Sequence, residues 1–475
     1  MELKAVGKEK RRYEGLDHVT GTTRYVDDVI VPGTHVVKAL RSPVHKGRII
    51  RLDTTRAEQL PGVAGIITAA DVPCNSYGFL TLDQPVMAET DVRYKGEPIA
   101  AVAAQTEDAA IEAVELIDLE IEEQTPVFDV LEAMKPDAPK VRPEGNILQI
   151  GDKNYRSVVF GDIERGFDEA DEVVESDYLF PSQEHACIET QVSLAVPESD
   201  GRLTIYSVTQ ALYFLLRQMN RILGQGNDVS ERWSGRMQYS YRGTLGYCDI
   251  KYVGGTVGGG FGGKTDLHAD PITALLALKT GKPCKWRWTR EEETLFSTRH
   301  SPWLMSFKDG VKKDGRIVAR EVRSIHDAGA HTGMSSYVVD KHCFYVIGPY
   351  HIPNVLVKGY VVYTNRTPTG AIRGFGLTPG TFASEIQIDK VAERIGMDPW
   401  EIRFINAVRN GDQLATRRKL DSVYLIETMQ ALAEWAGVTL PEKCARANSD
   451  PREAEVWPLA ETMEAPLEWT GGTVS

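Results

Sequence analysis

The sequence lacks the cysteine patterns of metal sites and disulfide scaffolds. Its six cysteines stand alone at positions 74, 187, 248, 284, 343 and 444, and no two form a C-x-x-C pair. Zinc ribbons and iron–sulfur sites use such paired cysteines, so neither is encoded by this spacing. Disulfide-dense folds are short and rich in cysteine, which this chain is not. We therefore expect isolated thiols.

An excess of positive charge and a long hydrophobic run are also missing. The formal net charge is −13, whereas a protein that binds the phosphate backbone needs a basic face. No run of about 18 apolar residues is present. The basic N-terminus, residues 1–15, has no apolar segment of a secretory signal. We predict a cytoplasmic protein with no nucleic-acid partner and no membrane span.

What is present is a chain of ordinary globular composition. Of its 475 residues, 42% are hydrophobic and 25% are charged, which allows two or three domains. Strand-like and helical patterns over 15–130 predict a small α/β domain, and a region rich in Pro and charge predicts a linker over 131–157. A larger mixed domain is predicted over 158–436 and a flexible tail over 437–475. The predicted fold class is α+β.

Several helices carry clear end signals. The segment EDAAIEAVELID follows Thr106, a favoured N-cap residue. DPITALLALKTG (270–281) predicts a helix with Asp270 at its N-cap and a glycine at its end. TFASEIQIDKVAERIG (381–396) is amphipathic and also ends on glycine. Strands are expected in VSLAV, LTIYSVTQ, KPCKWRWTR, RIVAREVRSI and NVLVKGYVVYTN.

The stretch GGGFGGKT (258–265) fits the phosphate-binding pattern G-x-x-x-x-G-K-S/T. A phosphate loop places its Lys-Thr pair in the first turn of a helix. Here Pro271 follows Lys264 by seven residues and would interrupt that helix. Five of the residues 258–264 are glycine. So many glycines cost conformational entropy and indicate that the backbone approaches another group closely. A nucleotide site stays open as an alternative.

Ordered motifs along the chain resemble one enzyme family. GGGFGGK is followed by AIRGFG (371–376), and further matches occur in family order: GLDHVTGTTRYVDDV, LPGVAGIITAADVP, VRYKGEPIAAVAAQTEDAA, QEHACIETQ, SVTQ, TREEETLFSTRHSP and MDPWEIRFINAVRNGD. Together they resemble the molybdenum hydroxylases, the xanthine dehydrogenase and aldehyde oxidase family. The resemblance implies an α/β hammerhead domain over 15–130. It implies that 158–436 is the first half of a mixed α+β molybdopterin-binding domain.

The same resemblance implies cofactors and partner chains. The family holds molybdenum through the dithiolene of molybdopterin, for which the cytosine dinucleotide form is one candidate. Its members hydroxylate a carbon next to nitrogen or oxygen. In length the chain resembles the N-terminal part of a split large subunit, as in the nicotinate dehydrogenase type. We therefore expect a second molybdopterin-binding chain, an iron–sulfur subunit with 2Fe–2S clusters and an FAD subunit.

Cofactor-binding residues follow from the resemblance position by position. Gln210 matches a glutamine near the molybdenum ligands, and the glycine-rich backbone matches the loop against the metal centre. Arg373 matches an arginine whose backbone lies close to the cofactor. Gln210, Phe261 and Arg373 are expected near the molybdenum, mostly through backbone or indirect contacts. The expected cofactor-binding set is Gln210, Gly259, Gly260, Phe261, Gly262 and Arg373.

Three positions are expected to face the substrate. Phe375 matches a ring that packs on a flat substrate. Thr265 replaces an acidic residue, and Lys341 replaces an arginine, that purine-oxidising members carry. Losing the acid and the forked guanidinium removes bidentate recognition of a purine. We therefore expect a different N-heteroaromatic, such as a pyridine carboxylate, or an aldehyde.

No catalytic residue is identified in this chain. The family's general base is a glutamate in a G-E-P-P-like setting, which 400–475 lacks, so it is expected on a partner chain. Glu184 and Glu189 match a different motif and are not assigned as this base. Besides the nucleotide site, a non-catalytic or truncated family member without metal is a further alternative, favoured by the short chain and the atypical segment 230–256.

Overall fold

The structure is a computed structural model that describes residues 6–223 and 250–439. None of the helices in this described part is long and apolar enough to cross a membrane. The α-helices are Gly15–Thr20, Thr55–Glu58, Glu107–Leu116, Val130–Ala133, Ile163–Asp168, Leu212–Ile222, Asp270–Thr280, Arg290–Phe296, Ser335–Tyr345, Leu377–Ile395, Pro399–Asn406 and Leu425–Ala436, with short 3-10 turns at Val26–Asp28 and Ala69–Asp71.

The strands, numbered in chain order, are β1 His35–Arg41, β2 Gly47–Asp53, β3 Val63–Thr68, β4 Asp91–Val92, β5 Pro98–Ala104, β6 Asp118–Glu123, β7 Arg156–Phe160, β8 Glu172–Phe180, β9 Val192–Pro197, β10 Leu203–Ser207, β11 Ile250–Gly254, β12 Cys284–Arg287, β13 Arg299–His300, β14 Trp303–Val311, β15 Ile317–Gly329, β16 Val355–Tyr363 and β17 Thr369–Gly370. Mixed helices and strands confirm the α+β fold class.

The largest sheet in the described part joins both predicted domains. Its seven strands run in the order β11-β10-β9-β12-β1-β5-β3. Strand β1 pairs antiparallel with β5 and parallel with β12, through His35 and Val36. The helix Asp270–Thr280 packs its apolar side on this sheet, where Leu275 and Trp286 are fully buried. The division at 131–157 therefore does not cut the sheet, and the domain boundaries stay a prediction.

A second sheet, of five strands, carries the core of the larger region. Its order is β7-β16-β15-β14-β8, and the helices Ser335–Tyr345 and Leu377–Ile395 contribute to the same apolar cluster. A fully buried ion pair joins strands β15 and β14 of this sheet: the Arg320 guanidinium donates to both Asp309 carboxylate oxygens, at 2.7 and 2.8 Å. A bidentate pair of this kind fixes the register of β14 against β15.

Local end signals predict some element boundaries and miss others. Thr106 caps its helix, because its hydroxyl accepts from the Ala109 amide, as predicted. Asp270 is not the N-cap: it is the first helical residue, and its buried carboxylate accepts from Ser207 and Tyr252 instead. The helix expected to begin at 381 begins at Leu377, because a proline is tolerated in the first turn of a helix.

The stretch predicted as a linker, 131–157, is folded against the larger region. Val141 and Leu148 belong to its buried apolar cluster. The buried side chain of Asn146 accepts from the Val141 amide at 2.7 Å and donates to the Ala133 carbonyl at 3.0 Å. These side-chain bonds satisfy backbone groups that a proline-rich segment cannot pair regularly. Most of the predicted tail and residues 230–249 of the atypical segment lie outside the described residues.

Candidate functional site

A cavity of about 630 Å³ opens where several loops meet. One is the glycine loop (258–264), which follows β11. A second is the arginine loop (371–376), which lies between β17 and the helix Leu377–Ile395. A third, residues 184–189, follows β8 and is called the bracket segment below. The residues that line the cavity are Glu184, His185, Phe261, Ile372, Arg373, Gly374 and Thr378.

Gln210 is fastened to the glycine loop. Its amide oxygen accepts from the Gly262 amide at 2.9 Å and, more weakly, from the Lys264 amide at 3.4 Å. Its backbone amide donates to the Lys264 carbonyl at 2.9 Å. A Cβ on Gly260 would lie 2.3 Å from the Gln210 amide oxygen, so a side chain there would displace the Gln210 amide. Because the oxygen faces the loop amides, the Gln210 –NH2 group is left to donate elsewhere.

The arginine loop is hydrogen-bonded directly to the glycine loop. The Arg373 amide donates to the Phe261 carbonyl at 2.7 Å. A Cβ on Gly262 would lie 2.5 Å from the Ala371 carbonyl oxygen, so the two backbones approach as closely as glycine allows. The Arg373 side chain is exposed at the cavity. The predicted neighbours Gln210, Phe261 and Arg373 are thus brought together around one loop pair.

Left-handed backbone marks all three loops. Outside glycine, the described residues with positive φ are Ala186 (51°), Phe261 (50°), Phe375 (51°) and Arg417 (65°). The first three belong to the bracket segment, the glycine loop and the arginine loop in turn. Such conformations cost energy in residues with a Cβ and concentrate at functional sites. The backbone strain therefore points to the same cavity.

Lys264 is buried and ion-paired, which argues against a phosphate loop. Its ammonium lies 2.8 Å from the Glu189 carboxylate, and the two side chains are 0% and 12% exposed. The same carboxylate oxygen accepts from the Gly258 amide at 2.7 Å. The helix after the loop begins only at Asp270. Neither the lysine nor the helix start is available to a nucleotide phosphate.

His185 bridges the glycine loop and the arginine loop. Its Nε2 lies 2.8 Å from the Ala371 carbonyl oxygen, which can only accept, so Nε2 carries the proton. Its ring covers Gly263, where a Cβ would lie 2.7 Å from Nδ1. Burial lowers the pKa of His185, so the imidazole is neutral near pH 7.

The three expected substrate positions are placed differently. The Thr265 hydroxyl donates to the Gly262 carbonyl at 2.7 Å, behind the loop. Phe375 is half-buried and packs against the large apolar cluster. Lys341 is exposed on the helix Ser335–Tyr345, with its ammonium 5.8 Å from the Tyr345 ring. The described cavity lining includes none of the three. The substrate roles of all three stay predictions.

Sequence reasoning misses the residues that hold these loops from behind. It recognises QEHACIETQ only as a stretch in family order and gives no role to His185 and Glu189 within it. A buried ion pair between residues 75 positions apart leaves no periodic signal in the chain. The one available signal is the density of chemistry-bearing side chains in that motif.

Two protein-family models match the chain. Residues 20–125 match the family model described as aldehyde oxidase and xanthine dehydrogenase, a/b hammerhead domain. Residues 147–230 and 239–407 match the molybdopterin cofactor-binding domain. The chain belongs to the xanthine dehydrogenase and aldehyde oxidase family. The predicted resemblance is therefore confirmed, and with it the membership of a family of molybdenum oxidoreductases.

Individual relatives differ in how much of their length the chain spans. A probable xanthine dehydrogenase subunit of Bacillus subtilis (strain 168) is 37% identical over 394 residues, which are 82% of this chain and 49% of that protein. The nicotinate dehydrogenase large molybdopterin subunit of Eubacterium barkeri is 33% identical over 437 residues, which are 92% and 97%.

A solved structure shares the fold. The aldehyde oxidoreductase from Desulfovibrio gigas superposes with a TM-score of 0.81 at 28% identity, covering 89% of this chain and 46% of that one. This chain therefore spans about half the length of the Bacillus relative and of the Desulfovibrio enzyme. It spans almost the whole Eubacterium subunit.

Proposed function

We propose that this chain is the molybdopterin-binding subunit of a molybdenum hydroxylase and supplies one part of its cofactor site. The observation that carries the proposal is the hydrogen bond from Arg373 to Phe261. It brings two loops, each with a left-handed phenylalanine, to the mouth of one cavity. A glycine-rich backbone at such a mouth lets amides approach a bulky anionic group without an intervening Cβ.

The residues present fit molybdopterin on two observations of the structure. A Cβ on Gly262 would meet the Ala371 backbone, and a Cβ on Gly260 would displace the Gln210 amide, so the glycine loop is bare backbone on both sides of Phe261, which lines the cavity. The Gln210 –NH2 group has no hydrogen-bond partner among the described residues, and its oxygen is already used by the Gly262 amide. A donor that the bond to Gly262 orients at the glycine loop suits a cofactor rich in acceptor oxygens.

Gln210, the backbone of 259–262 and Arg373 would hold the cofactor. When bound, molybdopterin supplies the redox chemistry by which a hydroxyl from water is added to a carbon next to nitrogen or oxygen. The chain's own contribution is positioning. Gln210 presents a fixed donor, and the Phe261 carbonyl is held by Arg373. The general base is a glutamate of a partner chain in this proposal, because none is assigned here.

The proposed substrate is an N-heteroaromatic compound or an aldehyde. The Eubacterium relative, of which the chain spans 97%, is named for nicotinate, which supports the first class. Phe375 would pack on the flat ring. Lys341 would pair with a carboxylate, and Thr265 would replace the acid used for purines.

Electrons would leave through partner subunits. We propose a second molybdopterin-binding chain, an iron–sulfur subunit with 2Fe–2S clusters and an FAD subunit, as the resemblance to a split large subunit implies; the relative of matching length is itself named as one subunit, the nicotinate dehydrogenase large molybdopterin subunit, which supports the proposal. The cytosine dinucleotide form of the cofactor and a cytoplasmic location belong to the same proposal.

Replacing Gln210 tests the function most simply. Q210A removes both the loop acceptor and the free donor, and we expect turnover to fall about 100-fold, the scale of losing a fixed donor at a reaction centre. Q413A is the matched control, because Gln413 donates only to the Arg417 carbonyl at an exposed turn. Normal turnover by folded Q210A would contradict the assignment. A metal-free wild-type complex would instead favour the non-catalytic alternative.

A further inference from the structure

The bracket segment (184–189) touches both cofactor loops, yet the proposed function gives it no role. We propose that His185 and Glu189 are positioning residues: Glu189 closes the glycine loop, and His185 sets its distance from the arginine loop. The geometry stands without the proposed function, whereas the consequence for cofactor retention rests on it.

Glu189 ties the two ends of the glycine loop to one carboxylate. One oxygen accepts from the Gly258 amide at 2.7 Å, where the loop begins, and from the Lys264 ammonium at 2.8 Å, where it ends. The Glu189 amide in turn donates to the Gly258 carbonyl at 3.2 Å. A Cβ on Gly258 would lie 2.6 Å from the Glu189 Cβ, so the glycine loop and the bracket segment are in direct contact here. The loop is therefore closed by a nearly water-free ion pair, where charge-assisted bonds are strong.

His185 connects the closed loop to its neighbour. Its ring rests on Gly263 of the glycine loop, and its Nε2 donates to the Ala371 carbonyl of the arginine loop. The imidazole therefore acts as a spacer that also forms a bond. The Arg373–Phe261 hydrogen bond lies two residues from each of these contacts along the chain.

The bracket segment is itself held rigidly. The Arg290 guanidinium donates to the carbonyls of Cys187 and Ile188. The Thr190 hydroxyl donates to the Trp288 carbonyl at 2.8 Å. The left-handed Ala186 between His185 and Glu189 turns the chain so that both side chains reach the loops. A support can position a loop only if it is fixed in this way.

Reciprocal substitutions of His185 separate positioning from packing. Glutamine places its –NH2 group near the position of Nε2, whereas asparagine is too short and mimics Nδ1. We therefore expect H185Q to keep more of the bond to Ala371 than H185N. H45Q is the matched control: it removes a histidine-to-carbonyl bond, from His45 to Asn365 at 3.2 Å, at another place in the fold.

The readout is amide hydrogen exchange at 371–376 in the full complex, purified from a host that cannot make molybdopterin. We expect H185N to exchange about tenfold faster than wild type, with H185Q between them and H45Q unchanged. Equal exchange in H185N and H185Q, or no change in either, would overturn the role of His185. Because this complex holds no cofactor, the result does not depend on the proposed function.

Paired substitutions test Glu189 without leaving a buried charge. E189Q/K264M removes both charges but keeps an oxygen for the Gly258 amide, whereas E189L/K264M removes that oxygen as well. We expect amide hydrogen exchange at 258–265 to be about tenfold faster in E189L/K264M than in E189Q/K264M. Equal exchange in the two double variants would overturn the role of Glu189.

Molybdenum content then connects positioning with function. In complexes from a cofactor-producing host, we expect H185N and E189L/K264M to retain less than about a tenth of the wild-type molybdenum, and H185Q and E189Q/K264M to retain more. Molybdenum loss without faster exchange would contradict positioning. If H185N and E189L/K264M exchange faster but the wild-type protein never holds molybdenum, the positioning roles are supported and the proposed function is contradicted.

Discussion

The Arg373 amide and the Phe261 carbonyl, 112 positions apart in the chain, are joined by a hydrogen bond of 2.7 Å. The glycine loop needs Gly262 to come this close to Ala371, and both loops turn through a left-handed phenylalanine. The bond therefore reports whether the two loops are correctly assembled. Substitutions in either loop should perturb that assembly from different sides.

Gly262→Ala should separate the two loops. The new Cβ would lie 2.5 Å from the Ala371 carbonyl oxygen, in a backbone that already has a φ of +108°. We expect a loss of about 2–4 kcal/mol in the free energy of unfolding, from strain and overpacking together. Chemical denaturation measures it. Gly411→Ala is the control, because its φ is +94° and its Cβ would meet nothing within 4 Å, so only the conformational strain remains. Equal losses in the two variants would contradict the close approach.

Gly260→Ala should displace the Gln210 side chain and leave the fold intact. The atom that the new Cβ meets, at 2.3 Å, is the end of a flexible side chain, which can rotate away. We expect turnover to fall about tenfold or more with a stability change within ~1 kcal/mol. Steady-state kinetics with thermal unfolding checks both. Gly254→Ala, whose Cβ would touch Leu212 at an ordinary 3.4 Å, should change neither. A G260A enzyme as active as G254A would show that the Gln210 amide is not used.

Buried histidine makes stability depend on pH in a defined direction. Burial lowers the pKa of His342 from its usual 6.5 to about 4. The unfolded chain therefore takes up a proton below pH 6.5 that the folded protein refuses, so His342 stabilises the fold above pH 6.5 and progressively loses that contribution as the pH falls to 4.

His342→Asn isolates this contribution. Asparagine keeps a donor for the Gly376 carbonyl, which His342 Nδ1 contacts at 2.8 Å, but cannot be protonated. We expect the stability difference between wild type and variant to shift by about 3 kcal/mol between pH 7 and pH 4, with wild type losing more. Denaturant titrations at both pH values measure it, and buried groups that do not interact with His342 cancel in the difference. A difference independent of pH would contradict a buried neutral imidazole.

Lys341 is a test of substrate class. If it pairs with a substrate carboxylate, Lys341→Met should raise KM about fivefold for a pyridine carboxylate, since an exposed ion pair contributes roughly 1 kcal/mol. KM for a neutral aldehyde should not change. Lys358→Met is the control, because that ammonium also lies over a tyrosine ring, 5.7 Å from Tyr155. Equal KM values for wild type and K341M with every substrate would leave Lys341 as a surface residue.

The sequence was a good guide where the signal is local. Thr106 caps the N-terminus of its helix and Gly281 caps the C-terminus of another, both as predicted, because capping depends on a few neighbouring backbone groups. The N-cap prediction for Asp270 was wrong because the deciding contacts are not local. A carboxylate at a helix start suggests a cap, but two neighbouring strands, β10 and β11, supply the hydroxyls of Ser207 and Tyr252, and those tertiary bonds fix its position.

The candidate site was half predictable. Family resemblance named Gln210, Phe261 and Arg373, and the structure brings them together, although their roles remain proposals. Resemblance could not show that Lys264, which looks like a phosphate-binding lysine, is buried against Glu189. That pairing depends on how two distant segments pack, which neither spacing nor periodicity encodes.

The most direct test of the account is the molybdenum content per chain of the complex purified from its native host. We predict close to one molybdenum per chain, together with a second molybdopterin-binding chain, since we propose that the glycine and arginine loops hold one cofactor. A complex without molybdenum, from cells whose other molybdenum enzymes are loaded, would contradict it: the chain would then keep the fold of its family without the chemistry.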